Sequence, residues 1–214
     1  MKKQRLLNTY VNNLSMSETI SEIEKMIACE KKSYIVAINV DVVMKIEHDP
    51  YLKKITDNAD MVLVDGKPLI WVSKIHKNPV KAKISGSDLV PLLCAEAAHN
   101  GYSMFIIGGK EGIAEKAKIR LEEQYPAINI VGTYAPPFGF ENNPKELDKI
   151  NNMISEKRPD LLIACFGCPK QEKWIYENYQ KYDAKVSICA GATVDFLAGN
   201  VNRAPKWIGV HPVK

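Results

Sequence analysis

The sequence predicts an α/β fold: a Rossmann-like, mostly parallel sheet with helices on both faces. Short, continuously apolar segments alternate along the chain with segments of helical periodicity, which is the pattern of strands buried between two layers of helices. The 214 residues are 46% hydrophobic and 25% charged, as is typical of a compact globular core. The chain contains no internal repeat and no low-complexity linker. We therefore expect one α/β core.

The first half of the chain begins with a helix. Ser15 and Glu18 have the spacing of a capping box, and isoleucines on one helical face follow as far as Cys29. Asp49 and Pro50 predict the end of a later helix, and Gly101 predicts a left-handed C-cap. After the first helix, the predicted elements of this half are strand 34–40, helix 42–47, strand 61–64, helix 68–76 and helix 88–100.

The second half alternates regularly between strands and helices. The predicted strands are 104–107, 128–133, 161–166 and 186–189, and the helices between them are 111–125, 144–157 and 171–182. The segment 135–144, which contains three prolines and a glycine, is the one long loop that this pattern predicts.

The formal net charge of +4 does not indicate binding to nucleic acid, and we predict no such partner. The positive charge is concentrated in two stretches that contain no acidic residue and therefore need an anionic partner or solvent. They are residues 66–87, with Lys67, Lys74, Lys77, Lys81 and Lys83, and residues 196–214, with Arg203, Lys206 and Lys214.

No apolar run approaches the roughly 18 residues of a membrane-spanning helix, and the basic N-terminus lacks the apolar segment of a signal peptide. The five cysteines are an odd number, and three lie in apolar segments, which is typical of free thiols in a reducing cytoplasm. Cys165 and Cys168 have no second pair of ligands, and the four histidines are not clustered. We expect neither a metal nor a cofactor.

Polar residues and glycines follow several of the predicted strands. Ligands of an open parallel sheet bind beyond the carboxyl ends of its strands, so these residues predict a polar crevice with an accessible backbone. They are Asn39, Asp65, Gly66, Gly108, Gly109, residues 167–172 and residues 191–195.

Gly108, Gly109 and Gly112 join a strand to a helix, where backbone N–H groups can meet a phosphate. The alternative is that these glycines only permit a tight turn. The next strand ends without an acidic residue that could hold a ribose, which disfavours NAD. No Gly-Lys-Ser/Thr sequence follows, which excludes a P-loop.

Two aspartates at strand ends have two interpretations each. Asp65 is placed to accept a proton from an attacking hydroxyl, or to form an Asp-Gly turn with Gly66. Asp195 is placed to bind a nucleoside hydroxyl, or to cap the turn before it. The amide of Asn39, within an apolar run, needs partners. The adjacent polar residues 170–172 also have two interpretations: they contact a ligand, or they cap the helix that they begin.

Six motifs follow one another in an order that resembles the WecG/TagA/CpsF glycosyltransferases over nearly the whole chain. The Pro-Lys-Gln-Glu and Arg-Ala-Pro sequences are the most specific, whereas the glycines alone would be a weak signal. The motifs are Asp65-Gly66, Gly86-x-Asp88-Leu89, Phe105-x-x-Gly108-Gly109, Gly167-x-Pro169-Lys170-Gln171-Glu172-x-Trp174, Gly191 to Gly199 with Asp195-Phe196, and Arg203-Ala204-Pro205-x-Trp207.

This resemblance implies an inverting transferase. Within the family, the chain is most similar to members that move N-acetylmannosamine from a UDP donor to undecaprenyl-diphosphate N-acetylglucosamine in wall teichoic acid linkage-unit synthesis. Asp65 would be the general base, Gln171 would act at the sugar, and Asp195 would hold the uridine. Without an Asp-x-Asp motif, basic groups and amides rather than a metal would stabilise the leaving diphosphate. The implied substrate-binding residues are Asn39, Lys83, Gly108, Gly109, Gly167, Lys170, Glu172, Asp195 and Arg203.

The chain departs from the family pattern at three places. Ala37 stands where the family has a threonine, so a hydroxyl that could touch a substrate is missing. Lys83 stands where an arginine is common, which keeps the charge but loses the bidentate fork. The family continues beyond the Arg-Ala-Pro motif, so we expect a core over residues 1–195 and, over 196–214, the start of a truncated C-terminal appendage.

The implied partners are a UDP-sugar donor, an acceptor linked to a lipid diphosphate and an anionic membrane surface, and the sequence leaves a homo-oligomer open. We expect the protein to be cytoplasmic and bound peripherally to the inner face of the plasma membrane. Two alternatives stay open. The first is a transferase of the same family that uses another UDP-sugar. The second is a catalytically impaired UDP-binding protein, which would be consistent with the missing hydroxyl at Ala37.

Overall fold

The computed structural model describes residues 3–29 and 31–200. The strands are β1 (Lys3–Leu6), β2 (Thr9–Asn12), β3 (Ser33–Ile38), β4 (Met61–Val64), β5 (Ser103–Gly108), β6 (Asn129–Tyr134), β7 (Leu161–Cys165) and β8 (Val186–Cys189). The α-helices are α1 (Met16–Ala28), α2 (Val40–His48), α3 (Pro50–Asn58), α4 (Lys67–Ile75), α5 (Gly86–Asn100), α6 (Ile113–Gln124), α7 (Pro144–Lys157), α8 (Lys170–Asn178) and α9 (Thr193–Leu197). A short 3-10 helix spans Phe140–Asn142.

Six strands form one parallel sheet in the order β4-β3-β8-β7-β5-β6. Side chains of alternate residues leave the sheet on opposite faces, so each strand contributes to two cores. In β7, for example, Leu162 packs beneath α7 and α8, whereas Ile163 packs beneath α5 and α6. Both residues are fully buried, and burying each side chain contributes roughly 1.5–3 kcal/mol. The predicted α/β class, with helices on both faces of a parallel sheet, is confirmed.

Beyond α9 and the short 3-10 helix, two further features were not predicted, and the first is an antiparallel hairpin of β1 and β2. Its strands have four residues each, which is too short for a clear alternation. The hairpin is attached to the edge of β4, because the backbone N–H of Val62 donates to Asn12 Oδ1 at 2.8 Å. Lys3 Nζ also donates to the carbonyl oxygens of Asp57 and Ala59, at 2.7 and 2.9 Å.

The second is α3. The prediction that a helix ends at Asp49 and Pro50 is confirmed, since α2 ends at His48. A new helix starts at once, however, with Asp49 as its N-cap, accepting from the N–H of Leu52 at 2.9 Å, and Pro50 in its first turn. An Asp-Pro pair signals the start of a helix as well as the end of one, and the start at this position was not predicted from the sequence.

The connections define two points where neighbouring strands send the chain to opposite faces. From β5 the chain continues to α6 on one face, and from β7 it continues to α8 on the other. From β3 it continues to α2, and from β8 to α9, again on opposite faces. Such points open a crevice at the carboxyl edge of a parallel sheet.

The predicted boundary between residues 195 and 196 falls inside α9. Ala198 is fully buried beyond it, so the packed core extends past position 195. Residues 201–214, which make up most of the predicted appendage, lie outside the described residues, and so does Arg203.

Candidate active site

Two cavities lie at the carboxyl edge, one at each of these points. The larger, of about 780 Å³, opens between the ends of β5 and β7, and the smaller, of about 320 Å³, between the ends of β3 and β8. Lys170 and Asp195 line the larger cavity, and the next residues, Gln171 and Phe196, line the smaller one. The two cavities therefore adjoin where α8 and α9 begin, and a ligand with two parts can occupy both.

The larger cavity has an aromatic wall and charges of both signs. Lys170 Nζ lies 2.7 Å from Glu141 Oε1 and 5.2 Å from the ring centre of Phe138, on the long loop that was predicted. Tyr134 lines the same wall. Asp195 is half-buried, and its carboxylate accepts no hydrogen bond from the described residues. The cavity thus combines a cation, a free carboxylate and flat apolar surface.

The predicted phosphate-binding glycines have structural roles in this structure. A Cβ at Gly108 would lie 2.4 Å from the carbonyl oxygen of Cys165, so the close approach of β5 and β7 requires glycine there. The N–H of Gly109 donates to that same oxygen at 3.2 Å, and the N–H of Gly167 donates to Gln171 Oε1 at 3.3 Å. Gly109 still lines the larger cavity, together with Lys110 and Glu111, whose N–H groups donate to none of the described residues.

The smaller cavity brings Asp65, Asn39, Gln171 and Glu172 together with Ala37. Asp65 reaches it from the end of β4 and Asn39 from the end of β3, because these two strands are neighbours. Gln171 and Glu172 arrive on α8. Residues that are up to 135 positions apart in the chain are therefore within one cavity of 320 Å³.

The carboxylate of Asp65 accepts no hydrogen bond and forms no ion pair with the described residues. Burial raises its pKa, and the negative charge of Asp88 raises it further, while the Lys83 ammonium opposes both effects. Lys83 Nζ lies 2.5 Å from Asp88 Oδ2, so the ion-pair partner of Lys83 is Asp88 rather than Asp65. Asp65 is thus a partly desolvated, unpaired base that faces a cavity.

Asn39 finds a partner in its own helix. It is the N-cap of α2, and its Oδ1 accepts from the N–H of Val42 at 3.0 Å. The predicted strand 34–40 therefore ends two residues early, at Ile38. Since the side chain also lines the smaller cavity, capping and ligand contact are compatible at this position.

Gln171 braces the floor of the smaller cavity. Its Oε1 accepts from the N–H groups of Gly167 and Gly191, at 3.3 and 3.0 Å, and thereby ties the loops after β7 and β8 together. Its Nε2 donates to Glu172 Oε1 at 2.9 Å. Gln171 is buried, so its predicted action at the sugar would come through the amide dipole and through the loops that it holds.

Glu172 is fully buried, and burial raises its pKa despite the hydrogen bond from Gln171. Its second carboxyl oxygen, Oε2, has no hydrogen-bond partner within residues 3–29 and 31–200. The side chain of Cys168 lies beside it, and burial together with the Glu172 charge raises the pKa of that thiol to about 12. Cys168 is therefore a neutral wall of the cavity.

The first turn of α5 was not predicted to contact the site, although it contains the Gly86-x-Asp88 motif of the family resemblance. Gly86 and Ser87 line the smaller cavity. A Cβ at Gly86 would lie 2.9 Å from the carbonyl oxygen of Ala190, so glycine permits this turn to lie against the end of β8. Ser85 Oγ donates to Asp88 Oδ2 at 2.5 Å, which holds the acceptor of Lys83 in place.

The lysine-rich stretch 66–87 is only partly free of acidic partners. Lys81 Nζ pairs with Glu18 Oε1 at 2.7 Å, and Lys83 pairs with Asp88, so two of the five lysines form ion pairs with acidic residues outside this stretch.

The described residues contain no group of three or more His, Cys, Asp or Glu side chains that could hold a metal ion. Among the helices of the described segments, none has the length and apolar character required to cross a bilayer.

Sequence comparison identifies the family. The model of the family described as "Glycosyl transferase WecG/TagA/CpsF family" matches residues 4–211 of this chain. The chain belongs to this family. That assignment agrees with the crevice at the carboxyl edge and with the motifs that line it.

Curated relatives carry the name N-acetylglucosaminyldiphosphoundecaprenol N-acetyl-beta-D-mannosaminyltransferase. The Bacillus spizizenii protein is 27% identical over 83% of this chain and 66% of its own length. The Bacillus subtilis protein is 23% identical over 97% of this chain and 79% of its own length. A Staphylococcus aureus protein is 27% identical over 95% of this chain and 78% of its own length. These family members are thus glycosyltransferases by name, and this chain spans about two thirds to four fifths of their length.

Proposed function

We propose that this glycosyltransferase family member moves N-acetylmannosamine from UDP to a hydroxyl of N-acetylglucosamine on a lipid diphosphate, with inversion. The observation that carries the proposal is the unpaired carboxylate of Asp65 in the smaller cavity, next to a larger cavity that can hold a nucleotide. The names of the relatives support the acceptor and the sugar.

In this proposal the nucleotide occupies the larger cavity. Asp195 accepts hydrogen bonds from the nucleoside, and the aromatic wall with Tyr134 and Phe138 covers its flat base. The diphosphate lies where the cavities adjoin, near Lys170 and the free N–H groups of Lys110 and Glu111, which stabilise its charge as it leaves. Gly109 allows the backbone to come close, and the sugar extends into the smaller cavity over Gln171.

Asp65 then acts as the general base. Its carboxylate takes the proton of the acceptor hydroxyl as that oxygen attacks the anomeric carbon, and the bond from this carbon to the diphosphate oxygen breaks. A raised pKa brings the base closer to neutral pH, where its protonation by the substrate is more favourable. Attack opposite to the leaving group inverts the configuration at the anomeric carbon.

Product formation tests the proposal directly. The protein is incubated with a polyprenyl-diphosphate N-acetylglucosamine and, in parallel, UDP-N-acetylmannosamine, UDP-N-acetylglucosamine or UDP-glucose. We expect transfer only from the first donor, and a product whose anomeric configuration is opposite to that of the donor. Transfer from another donor alone would assign a different sugar within the same family, and retention of configuration would exclude Asp65 as a simple base.

A UDP-binding protein without catalysis is the second candidate, because Ala37 lines the smaller cavity without a hydroxyl. Calorimetric titration separates the two. Binding of UDP without any product, even at high enzyme concentration, would favour this candidate.

A further inference from the structure

Helix α4 turns two large apolar side chains towards solvent. Trp71 is 58% exposed and Ile75 is 77% exposed, whereas Leu69 and Ser73 are buried against the core. Trp71 and Ile75 are four residues apart, so they lie on the same side of the helix, one turn from each other. An exposed tryptophan beside an exposed isoleucine is unusual for a surface that meets only water.

Cations surround this apolar pair. Lys67, Lys74 and Lys77 are exposed, and none of them forms an ion pair with the described residues. Lys67 and Lys74 are within one helical turn of Trp71, and Lys77 follows the end of the helix. Unlike Lys81 and Lys83 in the same stretch, these three lysines keep their full charge for an external anion.

The tip of the β1–β2 hairpin extends this surface. Asn78 Nδ2 donates to the carbonyl oxygen of Arg5 at 3.1 Å, and Gln4 Nε2 donates to the carbonyl oxygen of Asn78 at 2.7 Å. The hairpin is thereby attached to the segment that follows α4. Leu7, at its turn, is 40% exposed and lines a hollow of about 350 Å³ with Arg5 and His76. The docking face is defined by Arg5, Leu7, Lys67, Trp71, Lys74, Ile75 and Lys77.

We propose that the docking face binds the surface of an anionic lipid bilayer. Apolar side chains flanked by lysine and arginine are the composition of surfaces that lie in the headgroup region, and tryptophan prefers that region. The four cations Arg5, Lys67, Lys74 and Lys77 match a negatively charged leaflet. They disfavour a second copy of this chain as the occupant, because two such faces in contact would bring like charges together.

The docking face is directly connected to the candidate base. α4 starts at Lys67, two residues after Asp65, with Gly66 as its N-cap. A bilayer in contact with α4 would therefore lie close to the mouth of the smaller cavity. This inference rests on the proposed function, because an acceptor held in the membrane by its lipid presents its sugar near the bilayer surface.

Vesicle co-sedimentation tests the inference without requiring turnover. We expect the protein to bind vesicles of phosphatidylcholine with 30% phosphatidylglycerol (about three charges in ten lipids) and to bind pure phosphatidylcholine far less. Each lysine near an anionic leaflet strengthens binding about fivefold, so the triple variant Lys67→Gln, Lys74→Gln, Lys77→Gln should lose on the order of 100-fold in affinity. The double variant Trp71→Ser, Ile75→Ser should lose about tenfold.

Matched controls remove the same residue types elsewhere. The triple variant Lys54→Gln, Lys145→Gln, Lys157→Gln removes three other exposed lysines that form no ion pair in the described part of the chain, and Ile119→Ser removes another half-exposed isoleucine. We expect these variants to bind vesicles like the unaltered protein. Circular dichroism checks that every variant is folded.

Tryptophan fluorescence locates the contact. In a Trp207→Phe background, the remaining tryptophans are the exposed Trp71 and the buried Trp174, so a blue shift on adding anionic vesicles reports Trp71. Brominated lipids should quench this emission. Equal vesicle binding by the docking-face variants and the controls, or no shift of Trp71, would overturn the inference.

A change of oligomeric state in the docking-face variants, measured by light scattering, together with unchanged vesicle binding would assign the face to a second copy instead. The outcome is independent of the proposed reaction. A protein that binds vesicles through this face but makes no product would contradict the proposed function alone. Transfer to a short, water-soluble acceptor without vesicle binding would contradict this inference alone.

Discussion

Carboxylates at the two edges of the sheet differ in their hydrogen bonds and ion pairs. At the amino edge, Asp160 precedes β7 and accepts from Lys185 Nζ and from the N–H and Oγ of Ser103, at 2.8, 2.8 and 2.9 Å. Asp60 precedes β4 and accepts from the N–H of Tyr34 and from Lys31 Nζ, each at 3.0 Å. At the carboxyl edge, Asp65 directly follows β4 and has no such partner among the described residues.

The difference appears in the pKa values. Burial acts to raise the pKa of Asp160, but the hydrogen bonds from Lys185 and Ser103 outweigh it and hold the pKa below its usual value. For Asp65, burial prevails and the pKa is raised. The amino edge uses its carboxylates to join strands, whereas at the carboxyl edge Asp65 and Asp195 accept no hydrogen bond from the described residues. Polar groups that the fold leaves unsatisfied are where ligand chemistry is expected.

The largest effect should come from Asp65→Asn. We expect a loss of about 10²–10⁴ in transfer rate, because the amide keeps the shape but cannot accept a proton. UDP affinity should be nearly unchanged, and thermal stability should not fall, because the substitution removes a charge that burial penalises. Rates at saturating substrate and thermal melts measure both.

The matched control is Asp160→Asn. It should lower the free energy of unfolding by about 1–2 kcal/mol, through lost hydrogen bonds, and leave turnover unchanged. If Asp65→Asn behaved like this control, losing stability and keeping activity, the contrast between the two edges would be wrong and Asp65 would be a turn residue.

Asp195→Ala should have the next largest effect. If its carboxylate accepts hydrogen bonds from the nucleoside, UDP affinity should fall about 10- to 100-fold, since bonds to charged groups contribute about 1.5–3 kcal/mol each. Isothermal calorimetry with UDP and a thermal melt are the two measurements. A lower melting temperature with intact affinity would return Asp195 to the role of a turn cap.

The pH dependence should separate the two edges. Asp65 must be ionised to act as a base, so kcat/KM should fall about tenfold per pH unit below its raised pKa. Asp160 has a depressed pKa, so its contribution to stability is present above the pKa of the unfolded chain and is lost as the pH falls through the depressed value. Activity should therefore be lost at a higher pH than this part of the stability. An acid limb of the rate profile that coincided with unfolding, monitored by circular dichroism, would argue against Asp65.

Ala37→Thr should have the smallest effect. The side chain lies at the edge of the smaller cavity, and a β-branched residue suits β3. If the added hydroxyl contacts a substrate, turnover should rise about two- to tenfold, as for one hydrogen bond. Ala37→Val is the control with a similar shape and no hydroxyl, and equal rates for both variants would show that shape alone matters.

Much of the site follows from local patterns. The sequence places Asp65, Asn39 and residues 167–172 after apolar strands, and a parallel sheet brings all such positions to one edge. What these residues contact there was not predictable. Gln171 accepts a hydrogen bond from Gly191, 20 positions away, and Lys83 forms an ion pair with Asp88. The packing of the loops decides which of these partners is nearest.

The sequence by itself determined the α/β class, most helix and strand positions and the family, because periodicity, caps and turn residues act over a few neighbouring positions. Only the tertiary structure decided that β8 lies between β3 and β7, which creates two adjoining cavities. It also decided which lysines are paired and that α4 turns Trp71 outward. Strand order and pairing depend on contacts between distant residues, and those contacts are chosen by the packing of the whole core rather than by any local sequence.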